Sequence, residues 1–420
     1  MKKFLIIILL LSLNTYSHAQ SWTPLNPPNR NYYGVWFDST NTSNGYAVSW
    51  YIAAFDYIPY AIHTSNGGST FTPMQTFCAG QDIWFTNWYT GVIVGNGINQ
   101  TTDGGNTWNI IEDVTAMQAG WLKDVMFTNA TDGYSVGQRY DFNYMYFEGM
   151  IYKTNNAGGS WTNYLITEEV NGDNTDFQSV YSTGSGVVYA GCISTNPGTP
   201  TLYKSTNDGV TWSPLSFTEN TLALFFTSQD TGYAGTSGGI YKTTDAGATW
   251  ANIFPLSQPV NNISFKDGIA FATAGSGDIY ISSDNGNTWT PMVSPVTVTL
   301  QDIHIVNHNL AFISGNSGTI LKYTNTTGLT VYQEASPLQC WQDPYSGELT
   351  IQWNEMNGGD VNIQLIDMSG RVVVERRLNS EPGTGQISIT GSLLPGGIYL
   401  VKADSGKKQA VRKISLSPQK

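Results

Sequence analysis

Short apolar strands separated by polar, Gly-rich turns recur along residues 31–330. Each unit begins with an apolar strand and continues through a polar turn into a strand resembling Gly-Tyr-Ala-Val. A third strand ends in Lys-Thr or Ser-Thr, a turn with Asp and Gly follows, and Thr-Trp opens a fourth strand. Short apolar runs between such turns are typical of β-strands. The pattern therefore predicts a repeat of four-stranded units.

The turn before the fourth strand is the easiest part of the repeat to count. We expect its Asp or Asn side chain to accept hydrogen bonds from backbone N–H groups one or two residues on, and its Gly to supply a positive φ. Six copies at intervals of about 37 to 53 residues indicate a repeat architecture. The three clear copies are Thr102–Trp108, Thr244–Trp250 and Ser283–Trp289, and the three looser ones are Ser65–Phe71, Asn156–Trp161 and Asn207–Trp212.

The apolar strand that opens the unit occurs seven times, which predicts an all-β, seven-bladed β-propeller over residues 20–328. The seventh unit ends at Asn325-Thr326-Thr327-Gly328 without its fourth strand, whereas the chain has an extra strand at Ser21–Leu25. We expect this early strand to complete the seventh blade and close the ring. The seven openings are Val35-Trp36-Phe37, Ile83-Trp84-Phe85, Val125-Met126-Phe127, Val180-Tyr181, Leu224-Phe225-Phe226, Ile263-Ser264-Phe265 and Ile303-His304-Ile305.

These motifs resemble a known repeat. The Thr-x-Asp-Gly-Gly-x-Thr-Trp turns resemble the Asp-box, or bacterial neuraminidase (BNR), repeat. The run Asp230–Gly235 followed by Gly239–Thr243 resembles the photosystem II stability/assembly factor propellers and their bacterial relatives. The resemblance covers about three quarters of the chain. It implies that the Asp-boxes lie on hairpins away from the ligand face.

A different pattern follows a predicted linker at 329–343. Residues 344–420 contain Ile363–Val372, Leu394–Val401 and Lys413 near the end. These strings resemble the type A sorting domain of the type IX secretion system of Bacteroidetes, with Asp343-Pro344 where that family usually has Asn-Pro. The resemblance implies an immunoglobulin-like β-sandwich that binds the type IX secretion machinery. The alternative is an accessory β-sandwich, for example a binding module.

The first nineteen residues carry a pattern typical of a signal peptide. Met1-Lys2-Lys3 is positive, Phe4–Leu13 is largely apolar, and Ser17-His18-Ala19 offers small residues for cleavage. The apolar run is shorter than the roughly twenty residues needed to span a bilayer. We therefore predict a signal peptide at 1–19, no integral membrane segment after cleavage, and a secreted or outer cell-surface protein that passes through the periplasm.

Charge and composition exclude several partners. Residues 21–330 hold 22 Asp and Glu against 8 Lys and Arg, a net charge of −14, which argues against nucleic acid and anionic lipid. The cysteines Cys78, Cys192 and Cys340 permit at most one disulfide, and the sequence does not say which. No Cys or His spacing fits a metal motif, so we expect no metal and no cofactor.

Enzymatic alternatives differ in how well the residues support them. A sialidase site needs a cluster of arginines to hold a carboxylate, and the propeller has only Arg30 and Arg139. A glycoside hydrolase with paired carboxylates stays open as the alternative function. Asp124 and Asp176 stand at the starts of innermost strands, where a central site would be, although turn capping also explains them. An assembly factor is a third possibility, but the resemblance implies that this role depends on a basic patch.

Two aromatic insertions break the repeat between the second and third strands of blades 1 and 3. Both should project from the face opposite the Asp-boxes, where aromatics interleaved with acids suit a carbohydrate or peptide ligand. The alternative is that the aromatics only pack the longer hairpins. We therefore predict a non-enzymatic binding propeller whose candidate ligand-binding residues are Trp50, Tyr51, Phe55, Tyr57, Tyr60, Arg139, Tyr140, Asp141, Tyr144 and Tyr146.

Overall fold

The structure is a computed structural model. It divides into two compact units, the first built from Ala19–Asn325 and the second from residues beyond Asn325. The predicted signal peptide lies outside the described residues except for Ala19, at which the first strand begins. No helix among the described residues is long and apolar enough to cross a membrane. The described residues are 19–54, 56–114, 120–141, 146–166, 175–326, 338–342, 349–356, 359–367, 371–380, 383–389, 397–404 and 409–416.

Seven antiparallel sheets of four strands each form the described part of the first unit, which confirms the seven-bladed propeller. Strand β1 (Ala19–Pro24) comes first in the chain but belongs to the last blade. The next four blades are β2 (Tyr32–Phe37), β3 (Gly45–Ala53), β4 (Asp56–Thr64), β5 (Thr72–Met74); β6 (Gly80–Phe85), β7 (Gly91–Gly95), β8 (Ile98–Thr101), β9 (Asn109–Glu112); β10 (Trp121–Phe127), β11 (Gly133–Asp141), β12 (Tyr146–Thr154), β13 (Thr162–Ile166); and β14 (Asp176–Gly184), β15 (Val187–Ile193), β16 (Leu202–Ser205), β17 (Ser213–Pro214).

The ring closes in the seventh blade. There β1 pairs with β28, so the early strand supplies the missing edge as the sequence predicts. Trp22 of β1 is 5% exposed and packs its indole against Phe271 and Tyr323, with ring centroids 5.3 and 5.2 Å away. The last three blades are β18 (Thr221–Phe226), β19 (Gly232–Thr236), β20 (Gly239–Thr243), β21 (Ala251–Pro255); β22 (Val260–Lys266), β23 (Ile269–Ala274), β24 (Ile279–Ser282), β25 (Thr290–Met292); and β26 (Leu300–Asn307), β27 (Leu310–Gly315), β28 (Thr319–Thr326).

The burial of the strands explains their composition. The second strand of a blade is covered on both faces by its neighbours, so β7 and β19 are buried throughout and read as unbroken runs of small and apolar residues. Gly45 opens β3 because a Cβ there would lie 2.3 Å from the ring of Phe37, which ends β2. The same Phe-over-Gly contact occurs between Phe226 and Gly232. In four blades, the phenylalanine that ends the first strand therefore fixes the glycine that opens the second strand.

The Asp-box turns are held by side chains that span four residues. In the fifth blade, Thr243 Oγ1 accepts the N–H of Gly247 at 2.9 Å and donates to Asp245 Oδ1 at 2.8 Å. Asp245 Oδ1 accepts the N–H of Thr249, four residues on, at 2.9 Å. The expectation of bonds one or two residues on is therefore wrong. Two successive positive φ values, at Ala246 (56°) and Gly247 (85°), turn the chain back so that the later N–H meets the carboxylate.

In four blades, a lysine of the third strand contacts the Asp-box turn of the next blade. Lys204 Nζ donates to the carbonyl oxygen of Ala246 at 2.9 Å, and Lys242 Nζ donates to Asn287 Oδ1 at 2.7 Å. Four of the propeller's eight basic residues are thus in structural contacts between blades. The other two contacts of this kind are Lys153 with Asp208 and Lys322 with Gly67.

The second unit is a β-sandwich. One sheet has the order β29-β30-β33 and the other β32-β31-β34-β35. Its core contains Trp353, Ile351, Leu365 and Val401, each at most 2% exposed. The strands are β29 (Leu338–Gln342), β30 (Leu349–Met356), β31 (Gly359–Asp367), β32 (Val372–Ser380), β33 (Gly383–Ile389), β34 (Gly397–Asp404) and β35 (Gln409–Leu416).

One strand of this sandwich falls within the predicted linker at 329–343. Strand β29 pairs with β30 along its whole length, from Leu338 opposite Trp353 to Gln342 opposite Leu349. Cys340 lies in this strand, and its side chain is outside the described part of the structure. Cys78 and Cys192 are buried free thiols.

Candidate functional site

The first strands of the seven blades surround a central channel of about 1190 Å³. Each of these strands carries a β-bulge near its start, where two residues oppose one on the second strand. In six blades both the bulged residue and the residue after it line the channel. The bulge therefore presents two successive side chains to the channel in place of one.

The residue after the bulge has an equivalent position in every blade, and three of the seven are carboxylates. An oxygen of each carboxylate accepts a backbone N–H of the next blade, a contact we call a carboxylate latch. The latches are Asp82 to Val125 (2.9 Å), Asp124 to Val180 (2.7 Å) and Asp302 to Val35 (2.9 Å). The seven equivalent residues are Gly34, Asp82, Asp124, Ser179, Ala223, Asn262 and Asp302.

Two of these carboxyl groups, those of Asp82 and Asp124, are hydrogen-bonded to each other side chain to side chain. Burial raises the pKa of Asp82 well above its usual range, and the charges of Asp124 and Asp302 raise it further. Burial also raises the pKa of Asp124, but the Val180 N–H and the bond from Asp82 favour its ionised form. Burial and the neighbouring charges therefore favour the protonated form of Asp82.

The geometry of this pair does not match a glycoside hydrolase. Retaining enzymes hold their two carboxyl groups about 5–5.5 Å apart and inverting enzymes about 6.5–9.5 Å, so that a sugar or a water fits between them. The carboxyls of Asp82 and Asp124 bond to each other directly, and each also accepts a backbone N–H. Their oxygens are committed to holding blades together.

The other acid singled out from the sequence, Asp176, stands at the start of β14 near Lys123. Burial raises its pKa to about 6, while the charge of Lys123 and a hydrogen bond from Gln178 oppose the shift. The carboxylate of Asp124 is a latch, so the alternative role of turn capping is wrong for Asp124. The amide of Gln178 donates to the backbone carbonyl oxygen of Asp176 at 3.2 Å.

Aromatic residues from two blades meet at one mouth of the channel. Trp50 stacks on Tyr33 with centroids 5.5 Å apart and planes 8° from parallel. Its indole also meets the edges of Trp121 at 5.3 Å and Tyr57 at 5.3 Å. The amide of Gln81, oriented with its oxygen towards the indoles, accepts N–H from Trp50 and Trp121 at 2.9 Å each. We call these five residues the mouth cluster.

The mouth cluster lies on the face expected from the topology. Successive strands of a blade are antiparallel, so the turns between second and third strands lie at the end where the first strands begin. The Asp-box turns follow the third strands and lie at the opposite end. Tyr57 is 48% exposed, so the cluster offers an aromatic surface to solvent.

Two other aromatic residues of the first insertion, Tyr51 and Tyr60, contact a cation instead of the mouth cluster. The Arg30 guanidinium lies 4.6 Å from the ring centre of Tyr51 and 5.4 Å from that of Tyr60. Strand alternation directs Tyr51 away from Trp50, so the insertion has two aromatic faces. Phe55 lies outside the described residues.

The second insertion pairs largely with itself. Arg139 forms a salt bridge with Glu148, its partner across the hairpin. Tyr140 meets Phe147 edge to face, with centroids 5.1 Å apart, and these two are also register partners. For this hairpin the described contacts match the alternative of internal packing. Asp141 and Tyr146 are backbone partners whose side chains are not described, and Tyr144 lies outside the described residues.

Sequence reasoning missed three members of the mouth cluster: Tyr33, Gln81 and Trp121. Tyr33 and Gln81 are the bulged residues of their strands, and a bulge leaves no mark in the repeat. It also missed Asp82 and Asp302. A signal existed for these acids, because each immediately precedes an apolar opening of the repeat, as Asp124 does.

Two family models match the chain. Residues 341–417 match the secretion system C-terminal sorting domain, and residues 256–324 match the photosynthesis system II assembly factor YCF48. A curated xyloglucanase from Hypocrea jecorina is 24% identical over 231 residues, which are 49% of this chain. The chain spans only 24% of that enzyme's length.

Solved structures with similar folds include two relevant propellers. YCF48 from Cyanidioschyzon merolae superimposes with a TM-score of 0.54 at 19% identity, covering 72% of this chain and 98% of the other. PorZ, a surface component of the type IX secretion system of Porphyromonas gingivalis, gives 0.52 at 14% identity, covering 93% and 60%. At these identities the likeness shows the fold.

Fold and family matches together define the class of protein. The chain is an Asp-box β-propeller carried by a secretion system C-terminal sorting domain. More particularly, residues 256–324 resemble the YCF48 assembly factor and residues 341–417 are the sorting domain used for type IX secretion, so the protein is secreted or displayed at the outer cell surface.

Proposed function

We propose that this protein is a non-enzymatic binding propeller whose mouth cluster takes an extracellular carbohydrate or peptide. The observation that carries the proposal is the near-parallel stack of Tyr33 and Trp50, extended to Trp121 through Gln81. A hydrogen-bonded aromatic platform is rigid before a ligand arrives, so binding orders little. Tyr57 leaves part of this platform open to solvent.

The channel carboxylates support a binding role over a catalytic one. Asp82, Asp124 and Asp302 each accept a backbone N–H of the next blade, and Asp82 and Asp124 also hydrogen-bond each other. A general acid or base must be free to reach the proton that it transfers. Residues 341–417 supply the delivery step, since a sorting domain implies recognition by the secretion machinery.

The names of the similar proteins supply ligand classes for a first screen. One YCF48 structure is described as bound to D1 peptide, and the Hypocrea protein is a xyloglucanase. We expect the mature chain, residues 20–420, to bind at least one ligand on a glycan array or a peptide array. Binding to neither array would contradict the proposal.

A matched pair of variants assigns the binding to the mouth cluster. Tyr57 of the mouth cluster is 48% exposed, and Ile110 on β9, the outermost strand of the second blade, is 59% exposed. Tyr57→Ala should weaken binding of the selected ligand about tenfold or more, as truncation of an aromatic contact does in interfaces. Ile110→Ala should leave the affinity unchanged. Equal affinities for Tyr57→Ala and the wild type would contradict the assignment.

The hydrolase alternative has its own readout. Release of reducing ends from xyloglucan by the wild-type protein would contradict a purely binding role. If that release disappeared in the double variant Asp82→Asn/Asp124→Asn, the channel carboxyls would be its source. Stable, folded protein without any such release is the result that we expect.

A further inference from the structure

A second aromatic surface lies on the Asp-box face of the propeller. The turn between β6 and β7 carries Trp88 and Tyr89, which are 55% and 47% exposed and whose ring centroids are 3.3 Å apart. Asn87 Oδ1 accepts the N–H groups of Tyr89 and Thr90 at 2.9 Å each. This Asx turn fixes the backbone that carries both rings.

The corresponding turn of the third blade folds in the same way without aromatics. Asn129 Oδ1 accepts the N–H groups of Thr131 and Asp132 at 2.8 Å each. The Asp-box of each blade docks on its turn identically: Gly104 N–H reaches the Tyr89 carbonyl at 2.8 Å, and Ala157 N–H reaches that of Thr131 at 2.9 Å. Ala130 and Thr131 thus occupy the positions of the two rings. The fold of the turn does not require Trp88 or Tyr89.

The pair Trp88 and Tyr89 borders the channel at its Asp-box end. Trp88 and Asn87 line this end together with Asp38, Ser39 and Thr40 of the first blade. Amide, hydroxyl and carboxylate groups therefore line the same end of the channel as the exposed indole. Flat aromatic surface next to such groups is the chemistry that recognises a sugar ring, whose apolar face stacks and whose hydroxyls hydrogen-bond.

We propose that Trp88 and Tyr89 form a saccharide-binding site, separate from the mouth cluster. A stable protein partner needs about 800 Å² on each side, whereas a single aromatic side chain buries only about 150–250 Å² even when fully covered. Two half-exposed rings therefore suit a ligand of one or two sugar units. The net charge of −14 on residues 21–330 opposes insertion of the rings into an anionic membrane.

The third blade supplies the variant that tests this site. Trp88→Ala/Tyr89→Thr copies Ala130 and Thr131 into a turn with the same hydrogen bonds, so the variant should fold with an unchanged melting temperature. In native gels cast with xyloglucan, mannan or laminarin, the wild type should migrate more slowly with at least one polysaccharide than in a gel without polysaccharide. When it is combined with Tyr57→Ala, which weakens binding at the mouth cluster, the double variant should migrate as in a gel without polysaccharide.

The control separates this site from the proposed function. Tyr57→Ala should remain retarded, because it alters only the mouth cluster. Retardation that is kept in the combined variant Tyr57→Ala/Trp88→Ala/Tyr89→Thr, or absent from the wild type with all three polysaccharides, would overturn the saccharide site. A peptide selected on an array could instead bind the wild type and fail to bind the double variant. That result would overturn the assignment of saccharides as the ligand class.

Discussion

Asp302 of the seventh blade accepts the backbone N–H of Val35 of the first blade at 2.9 Å, although 267 residues separate them. Its other oxygen accepts from Asn262 Nδ2 at 2.7 Å and from its neighbour Ile303 at 2.7 Å. One carboxyl group thus connects three consecutive blades where the two ends of the ring meet.

Loss of this latch should destabilise the ring. In Asp302→Ala the N–H of Val35 and the amide of Asn262 lose their acceptor. An unpaired buried donor costs about 1–3 kcal/mol of unfolding free energy. Urea denaturation of the mature chain, followed by tryptophan fluorescence, should show a lower midpoint.

The control for this prediction is Asp56→Asn, which alters an exposed carboxylate on the first insertion. Its midpoint should equal that of the wild type. An Asp302→Ala midpoint equal to both would mean that the latch contributes nothing to stability.

The same residue predicts a dependence of stability on pH. Burial raises the pKa of Asp302 from 3.8 to about 7, and that of Asp176 to about 6. At a pH between the ordinary pKa of 3.8 and these raised pKa values, the folded protein holds protons that the unfolded chain releases. The free energy of unfolding should therefore fall as pH rises through this window, by at most about 1.4 kcal/mol per pH unit for one group.

Asp302→Asn identifies the contribution of the latch to this slope. The amide is uncharged at every pH and keeps one carbonyl acceptor, so the variant should vary less in stability between pH 4 and pH 7. Melting temperatures measured across that range give the comparison. Parallel curves for the variant and the wild type would show that Asp302 does not titrate in this window.

The ring and its closure could be predicted from the sequence because every blade repeats the same local pattern. The extra strand around Trp22 and the missing strand after Tyr323 complement each other in the linear chain. The mouth cluster could be predicted only in part. Trp50 was found because it breaks the repeat, whereas Trp121 opens an ordinary first strand and Gln81 occupies a bulge. Only the ring's curvature brings residues of blades 1, 2 and 3 together.

The closing strand should be essential to stability. Trp22→Ala removes an indole packed between Phe271 and Tyr323, and such large-to-small changes in a core cost about 3–5 kcal/mol. Chemical denaturation should show the loss. Trp88→Ala, which truncates an indole that is 55% exposed, should change the unfolding free energy far less. Similar losses in the two variants would contradict closure through Trp22.

The Asp-box turns should tolerate Asn but not Ala. Hydrogen bonds from the side chain and the N–H of Thr249 lower the pKa of Asp245 to about 2, which shows that the turn favours the ionised acceptor. Asn66, Asn156 and Asn207 occupy this position in other blades, and each accepts the equivalent N–H at 2.9 Å. The turn therefore depends more on the acceptor oxygen of this side chain than on its negative charge.

Asp245→Asn should therefore melt close to the wild type at neutral pH, while Asp245→Ala should melt lower because the N–H of Thr249 loses its partner. Acidification adds a second measurement. The stabilisation from ionised Asp245 is present above pH 3.8 and is lost as pH falls towards 2, so the advantage of Asp over Asn should shrink in that window. Melting curves of the three proteins from pH 7 to pH 2 test both statements. A melting temperature of Asp245→Asn as low as that of Asp245→Ala would show that the turn needs the charge itself.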